Sequence, residues 1–179
     1  MEATAPTIRA AATAWSSAET SSAGVTRIAP RRPAIGAIRG KLPETQAPQL
    51  CSLVAEPPEG NEWVSEIKFD GYRLLAAVEG GKVRLLTRNG HDWAERLPAV
   101  RQTIGRVPVQ AVMLDGELVA LRDDGVSSFP GLQTALKAGR DDKLFFYVFD
   151  LLHLDGWDLR ADRAPWRGVG VSVLVSVRG

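Results

Sequence analysis

The sequence predicts an α+β fold built on antiparallel sheets with short helices, and three observations predict it. Between Pro48 and about Arg160, short apolar runs recur between Asp-Gly, Asn-Gly and Gly-Gly turn signals. Two of those runs, Val112 to Leu121 and Leu144 to Leu152, have the Val, Phe and Tyr content of buried strands. Only two stretches show helical spacing, so strands outnumber helices.

Taken in order, the first element is Glu66-Ile67-Lys68-Phe69-Asp70, whose alternation predicts a strand. It would carry Glu66, Lys68 and Asp70 on one face and Ile67 and Phe69 on the other, and end at Gly71. Leu74 to Val78 and Lys82 to Thr87 flank Gly80-Gly81, a hairpin signal, and Asn89-Gly90 marks the next reversal. Asp92-Trp93-Ala94-Glu95 resembles a helix-capping box. Trp93, Leu97, Val100 and Ile104 follow at helical spacing up to Gly105, with Pro98 the one residue against a helix there. A second helix is predicted to start near Ser127 or Ser128, to set Phe129, Leu132 and Leu136 on one side, and to close at Gly139.

Length and composition bound the rest. The chain has 179 residues, 45% hydrophobic and 24% charged, which suits about one globular domain. Residues 1–41 are rich in Ala, Ser, Thr and Pro without a sustained apolar period, and are expected to form a flexible arm. Residues 42–160 form the folded body, and 161–179 a Val-rich tail. A net charge of +1 gives no bulk reason to expect a nucleic acid partner, so any such partner rests on local residues. The single cysteine, Cys51, excludes an internal disulfide, and no Cys/His pairs stand at zinc-ligand spacing. A reducing, cytoplasmic setting is expected. No stretch approaches the roughly 18 apolar residues that span a membrane, and the N-terminus lacks a secretory pattern.

Chemistry concentrates at Lys68-Phe69-Asp70-Gly71-Tyr72-Arg73, where a lysine is followed by an acid, a glycine turn and an arginine. An ordinary lysine, with a pKa near 10.4, is a free amine in only about one molecule in 2,500 at neutral pH, so a nucleophilic lysine needs desolvation or crowding by cations. Arginine offers a planar fork to phosphate or ribose oxygens, and glycine lets backbone approach a nucleotide. Taken alone, the pattern describes equally a surface strand closing in an Asp-Gly turn. Likewise Glu117, after Asp115-Gly116, reads as a solvated turn residue, Arg88 as an exposed hairpin arginine and Phe149 as a core aromatic. His91 and His153 read as turn or surface residues rather than metal ligands, and Trp63, Trp93 and Trp157 as core or boundary packing.

Together these residues resemble a known family. Lys68-x-Asp70-Gly71-x-Arg73 is similar to the nucleotide-attachment motif of ATP-dependent DNA ligases, RNA ligases and mRNA-capping guanylyltransferases. Thr87-Arg88-Asn89-Gly90, Leu114-Asp115-Gly116-Glu117-Leu118-Val119 and Tyr147-Val148-Phe149-Asp150-Leu151-Leu152 look like the motifs that follow, in the right order. The stretch from about 42 to 160 looks most like the ligase domain of the bacterial ligase D family, which works in non-homologous end joining.

The resemblance implies a partial nucleotidyltransferase (adenylation) domain of an ATP-grasp-like type, with ATP as cofactor and Mg2+ or Mn2+ as metal. By the same resemblance Lys68 attacks the ATP α-phosphate and Asp70 orients the lysine or water around the metal. Glu66 would read the adenine amino group, Arg73 and Glu117 would hold the ribose side, and Phe149 would stack on the base. Arg88 would face a phosphate of the nucleotide or nick, and Glu117 would also act as the metal ligand. The partners implied are nicked or broken double-stranded DNA and a Ku-type end-binding protein. The likeness stops near Ala161. A second metal-binding glutamate motif, a pair of phosphate-contacting lysines and the oligonucleotide-binding (OB) domain are expected to be absent, which makes this chain a weak or inactive fragment of its family. An RNA ligase, a capping-type enzyme and a nonenzymatic remnant stay open as alternatives. The valine-rich tail is expected to act as an unpaired edge strand prone to aggregation.

Overall fold

The computed structural model describes residues 37–48, 56 and 68–160, together with the backbone of 19–20, 26–27 and 173–176. Strands β1 (Glu19–Thr20) and β2 (Thr26–Arg27) form a small antiparallel ladder of their own. The other elements, in chain order, are β3 (Ile38–Arg39), β4 (Tyr72–Glu79), β5 (Lys82–Thr87), helix α1 (Pro98–Gly105), β6 (Ala111–Ala120), helix α2 (Phe129–Lys137), a 3-10 turn (Asp141–Lys143), β7 (Leu144–Leu154), β8 (Trp157–Asp158) and β9 (Val173–Ser176). Strands β3 to β9 make one seven-stranded sheet in the order β3-β8-β7-β6-β4-β5, with β9 also paired to β7. Every pairing is antiparallel. The α+β, antiparallel expectation therefore holds.

The central strands are apolar on both faces. In β4 the five residues Leu74 to Val78 are all buried, which is why the segment reads as a continuous apolar run. Its hairpin with β5 turns on Gly80 and Gly81, whose φ values of 55° and 82° suit the tight turn that matches strand twist. On one face Leu74, Ala76, Val78, Leu118, Phe146 and Val148 pack with Val100 and Ile104 of α1 and Leu132 of α2. On the other, Leu75, Ala77, Leu86, Met113 and Leu152 gather beneath Leu42.

Leu42 belongs to a strap, residues 37–48, that crosses this second face. β3 pairs with β8, and the Gly40 N–H donates to the Gly156 carbonyl at 3.1 Å. The Arg84 guanidinium donates to the Glu44 and Pro43 carbonyls, and that of Arg160 to the Gln46 side chain. The arm expected over 1–41 lies largely outside the described residues, and its last few residues are part of the sheet.

Several expectations are corrected. The predicted strand at 66–70 begins outside the described residues, and Lys68, Phe69 and Asp70 are not strand: pairing starts at Tyr72, opposite Leu118. The helix predicted from Trp93 starts only at Pro98. Asp92 spends its carboxylate on the Leu85 and Ala94 N–H groups, fixing a turn rather than a helix start. Proline, having no N–H to satisfy, then suits the first helical turn. The cap of α1 comes from elsewhere: buried Asp141 accepts from the Ala99 N–H at 2.7 Å and the Val100 N–H at 3.3 Å. Helix α2 matches expectation, with the Ser128 hydroxyl accepting from the Gly131 N–H.

Asp115-Gly116 is no turn but the middle of β6. His153 is not a surface residue: it is 1% exposed, with Nε2 3.0 Å from the Gly40 carbonyl oxygen, because a bulged β7 turns it under the strap. The tail strand expected to be unpaired, β9, pairs with β7 along Phe145–Val148. Among the described residues, no helix is long and apolar enough to cross a membrane.

Candidate active site

Among the described residues, the site occupies the part of the second face that the strap does not cross. Strand alternation puts Arg73 on the same side of β4 as Leu75 and Ala77, and Asp115 and Glu117 on the same side of β6 as Met113. Arg73 pairs directly across from Glu117, and Glu117 directly across from Tyr147 of β7. One row of side chains thus crosses three adjacent strands.

Arg73 grips Asp115 with a two-pronged contact, Nε to Oδ1 and Nη2 to Oδ2, both 2.7 Å. Asp115 is 3% exposed, and a fork-to-carboxylate pair is the arrangement that satisfies such a buried charge. The Arg73 guanidinium also lies over the Phe149 ring, 4.6 Å from its centroid. Phe149 reaches this place through a bulge. Asp115 faces Asp150 and Gly116 faces Val148, which leaves Phe149 as the extra residue between them. It is half-buried, which removes the reading of it as a plain core aromatic. Gly116 is required at the bulge, since an added Cβ would run into the Tyr147 carbonyl and the Phe146 ring.

Glu117 stands at the centre, half-buried, on the strand and not in a solvated turn. Burial is the strongest influence on its carboxyl and pushes its pKa up to about 7, with Asp115 acting in the same direction. Arg73, a backbone hydrogen bond from Gly71 and the charge of Lys68 pull the other way. Lys68 is exposed and lies close enough for its field to reach this carboxyl. Gly71 sits tight against β6, where a Cβ would strike the Leu118 carbonyl, so the glycine of the lysine motif is fixed by close packing.

Of the residues the sequence singled out, Lys68, Arg73, Glu117 and Phe149 come together. Asp70 is exposed beside them, its N–H donating to the Ser127 hydroxyl at 3.2 Å. Arg88 is exposed in the turn after β5; because Thr87 faces Leu74, it stands at the Arg73 end of β4. Glu66 and Trp63 lie outside the described residues. Sequence reading gave no site role to Asp115, Tyr147 or Ser127. The signal for Asp115 was present, since it stands two residues from Glu117 and so on the same strand face. Tyr147 and Ser127 had none, because their contacts with the lysine segment join distant parts of the chain.

For a divalent cation the described residues offer no ready-made cluster of three or more acidic, His or Cys ligands. Asp115 is committed to Arg73, and Glu117, half-buried beside it, is a candidate donor. One carboxylate suits Mg2+ or Mn2+, which commonly take one or two carboxylates and complete their shell with water and substrate phosphate oxygens.

An exposed lysine beside an arginine held by an acid, a partly buried glutamate and a half-buried aromatic ring matches the residue set expected of a nucleotidyltransferase. The chain belongs to the ATP dependent DNA ligase domain family, whose model matches residues 48–167. It is 50% identical over 119 residues to the multifunctional non-homologous end joining protein LigD of Pseudomonas aeruginosa, a match covering 66% of this chain and 14% of that protein. It is 41% identical over 105 residues to LigD of Mycobacterium tuberculosis, covering 59% of this chain and 13% of that protein. The crystal structure of the ligase domain from M. tuberculosis LigD aligns at a TM-score of 0.46 and 43% identity, over 51% of this chain and 29% of that one. The chain therefore spans about one seventh of the length of the LigD relatives it matches.

Proposed function

We propose that this chain carries the adenylylation site of a DNA strand-joining enzyme, with Lys68 as nucleophile, and that by itself it is weak in the joining reaction. The observation that carries the reading is the convergence of Lys68, Arg73 and the Gly71 N–H on the half-buried Glu117 carboxyl, within the family's motif order. The Lys68 Nζ, having lost its proton, attacks the α-phosphorus of ATP. An N–P bond forms, the bond from that phosphorus to the β-phosphate oxygen breaks, and pyrophosphate leaves. Asp70, exposed next to the lysine, is placed to orient the amine or a water. Phe149 offers a half-buried ring for the adenine, and Arg73 and Glu117 border the ribose side. Arg88 projects from the same end of the sheet toward phosphate, and Glu66, by the family's pattern, reads the adenine amino group.

Mg2+ or Mn2+ held by Glu117 would neutralise charge on the phosphates. In the steps that follow, the adenylyl group passes to a DNA 5′-phosphate at a nick or break, and the neighbouring 3′-hydroxyl displaces AMP to seal the strand. The substrate is accordingly nicked or broken double-stranded DNA, in end-joining repair within the bacterial cytoplasm, with a Ku-type end-binding protein as partner.

The test is incubation with ATP labelled at the α-phosphate and Mg2+ or Mn2+, followed by a denaturing gel. Label is expected on the parent and absent from Lys68→Ala. Equal labelling of both, or of neither, would overturn the reading. Challenge of the labelled protein with nicked DNA and with nicked RNA then separates a DNA ligase from an RNA-joining or capping-type enzyme.

A further inference from the structure

We propose that Tyr147 and Ser127 are positioning residues for Lys68. The inference rests on Lys68 being the nucleophile, and it concerns what holds that lysine. Residues 68–70 belong to no strand, so no ladder of backbone hydrogen bonds fixes them. Two contacts take its place. The Phe69 ring lies nearly flat on the Tyr147 ring, with centroids 4.2 Å apart and planes at 19°. On the other side of Phe69, the Asp70 N–H is tied to the Ser127 hydroxyl at 3.2 Å.

Both anchors are rooted in regular structure. Tyr147 is in the middle of β7, paired to Glu117 of β6, and Ser127 bridges to Leu121 just before α2. Lys68 is thereby referenced to the same strand pair that carries Glu117 and Phe149. Tyr147 is half-buried on the open face, whereas its neighbours Phe146 and Val148 fill the core on the opposite face. Its ring therefore serves the lysine segment rather than the core. A nucleophile displaced by about 1 Å can lose on the order of a hundred-fold in rate, so the two anchors control rate without touching ATP.

The experiment uses the full chain, ¹⁵N-labelled, as parent, Tyr147→Phe, Tyr147→Leu and Ser127→Ala. Heteronuclear NOEs of residues 68–70 report their order on the ps–ns timescale, and shifts of α1 and β4 amides confirm an intact core. Tyr147→Leu is expected to lower the NOEs at 68–70 and to slow single-turnover labelling of Lys68 about ten-fold to a hundred-fold, with the half-saturating ATP concentration little changed. Tyr147→Phe, which keeps the ring, restores both. Ser127→Ala gives a smaller loss of the same kind. Unchanged NOEs in Tyr147→Leu overturn the proposal, as does a lowered NOE with an unchanged labelling rate. If the parent takes no label, the adenylylation reading falls by itself, and the NOEs still decide whether the two anchors hold the segment.

Discussion

The two faces of the central sheet are made by the same strands and yet differ in how they are held. On the helix-covered face, Leu74, Ala76, Leu118, Phe146 and Val148 form a continuous apolar layer against α1 and α2. On the other face apolar contact stops partway. Leu75, Ala77 and Met113 lie under Leu42, and the same strands then present Arg73, Asp115 and Glu117. The first face is stabilised by area removed from water. The second depends on a few polar contacts whose geometry has to be right, because its charges are partly desolvated. The polar residues of the candidate site and the larger apolar core are thus separated by the thickness of one sheet.

The largest stability effect should come from the apolar face. Phe146 is fully buried, and its ring lies where a Gly116 Cβ would be. Phe146→Ala is expected to cost about 3–5 kcal/mol, read as a lower urea midpoint at constant slope. A loss no larger than that of an exposed substitution such as Val126→Ala would show that this face does not carry the fold.

Next comes the polar face. Asp115→Ala removes both hydrogen bonds of the two-pronged contact with Arg73 and is expected to destabilise by about 2–3 kcal/mol. Adding Arg73→Leu should recover part of that loss, since the pair is then removed together and not broken from one side. No recovery in the double variant would assign the loss to Asp115 alone.

Glu117 gives a smaller effect whose sign depends on pH. Its carboxyl titrates near pH 7 when folded, above the ordinary value of 4.5. The folded state therefore binds the proton more tightly. That contribution is complete below about pH 4.5 and is lost as pH rises through 7. Glu117→Gln should flatten this decline and stabilise the protein at pH 8 by about 1–2 kcal/mol, a figure reduced for the partial exposure of the group. Denaturation midpoints at pH 4.5 and pH 8 decide it: parallel curves for parent and variant would place the titration elsewhere.

The same contrast explains what could be read from sequence. The hairpin at Gly80-Gly81, strands β6 and β7 and helix α2 were legible because each is fixed by local turn chemistry or by an unbroken apolar run. Lys68, Phe69 and Asp70 were misread as strand because alternation alone does not supply a pairing partner, and backbone pairing begins only at Tyr72. Phe149 was legible as a candidate by its motif, but the bulge that exposes it was not, since the extra residue appears only when β6 and β7 are aligned. His153 was missed for a related reason: what buries it is the strap, more than one hundred residues away in sequence.

The smallest predicted effect tests whether long-range contacts also govern the helix-covered face. Helix α2 is capped by its own Ser128, three residues from the N–H it serves. Helix α1 has no side-chain cap of its own and relies on Asp141, more than forty residues along the chain. Each cap should be worth about 1 kcal/mol. Ser128→Ala should loosen the start of α2 alone. Asp141→Ala should raise amide exchange at Ala99 and Val100 and also loosen the 3-10 turn, because that carboxylate joins the two elements. If exchange at Val100 stays at the parent's rate, α1 is held by its buried Val100 and Ile104 alone, and the borrowed cap contributes nothing to the fold.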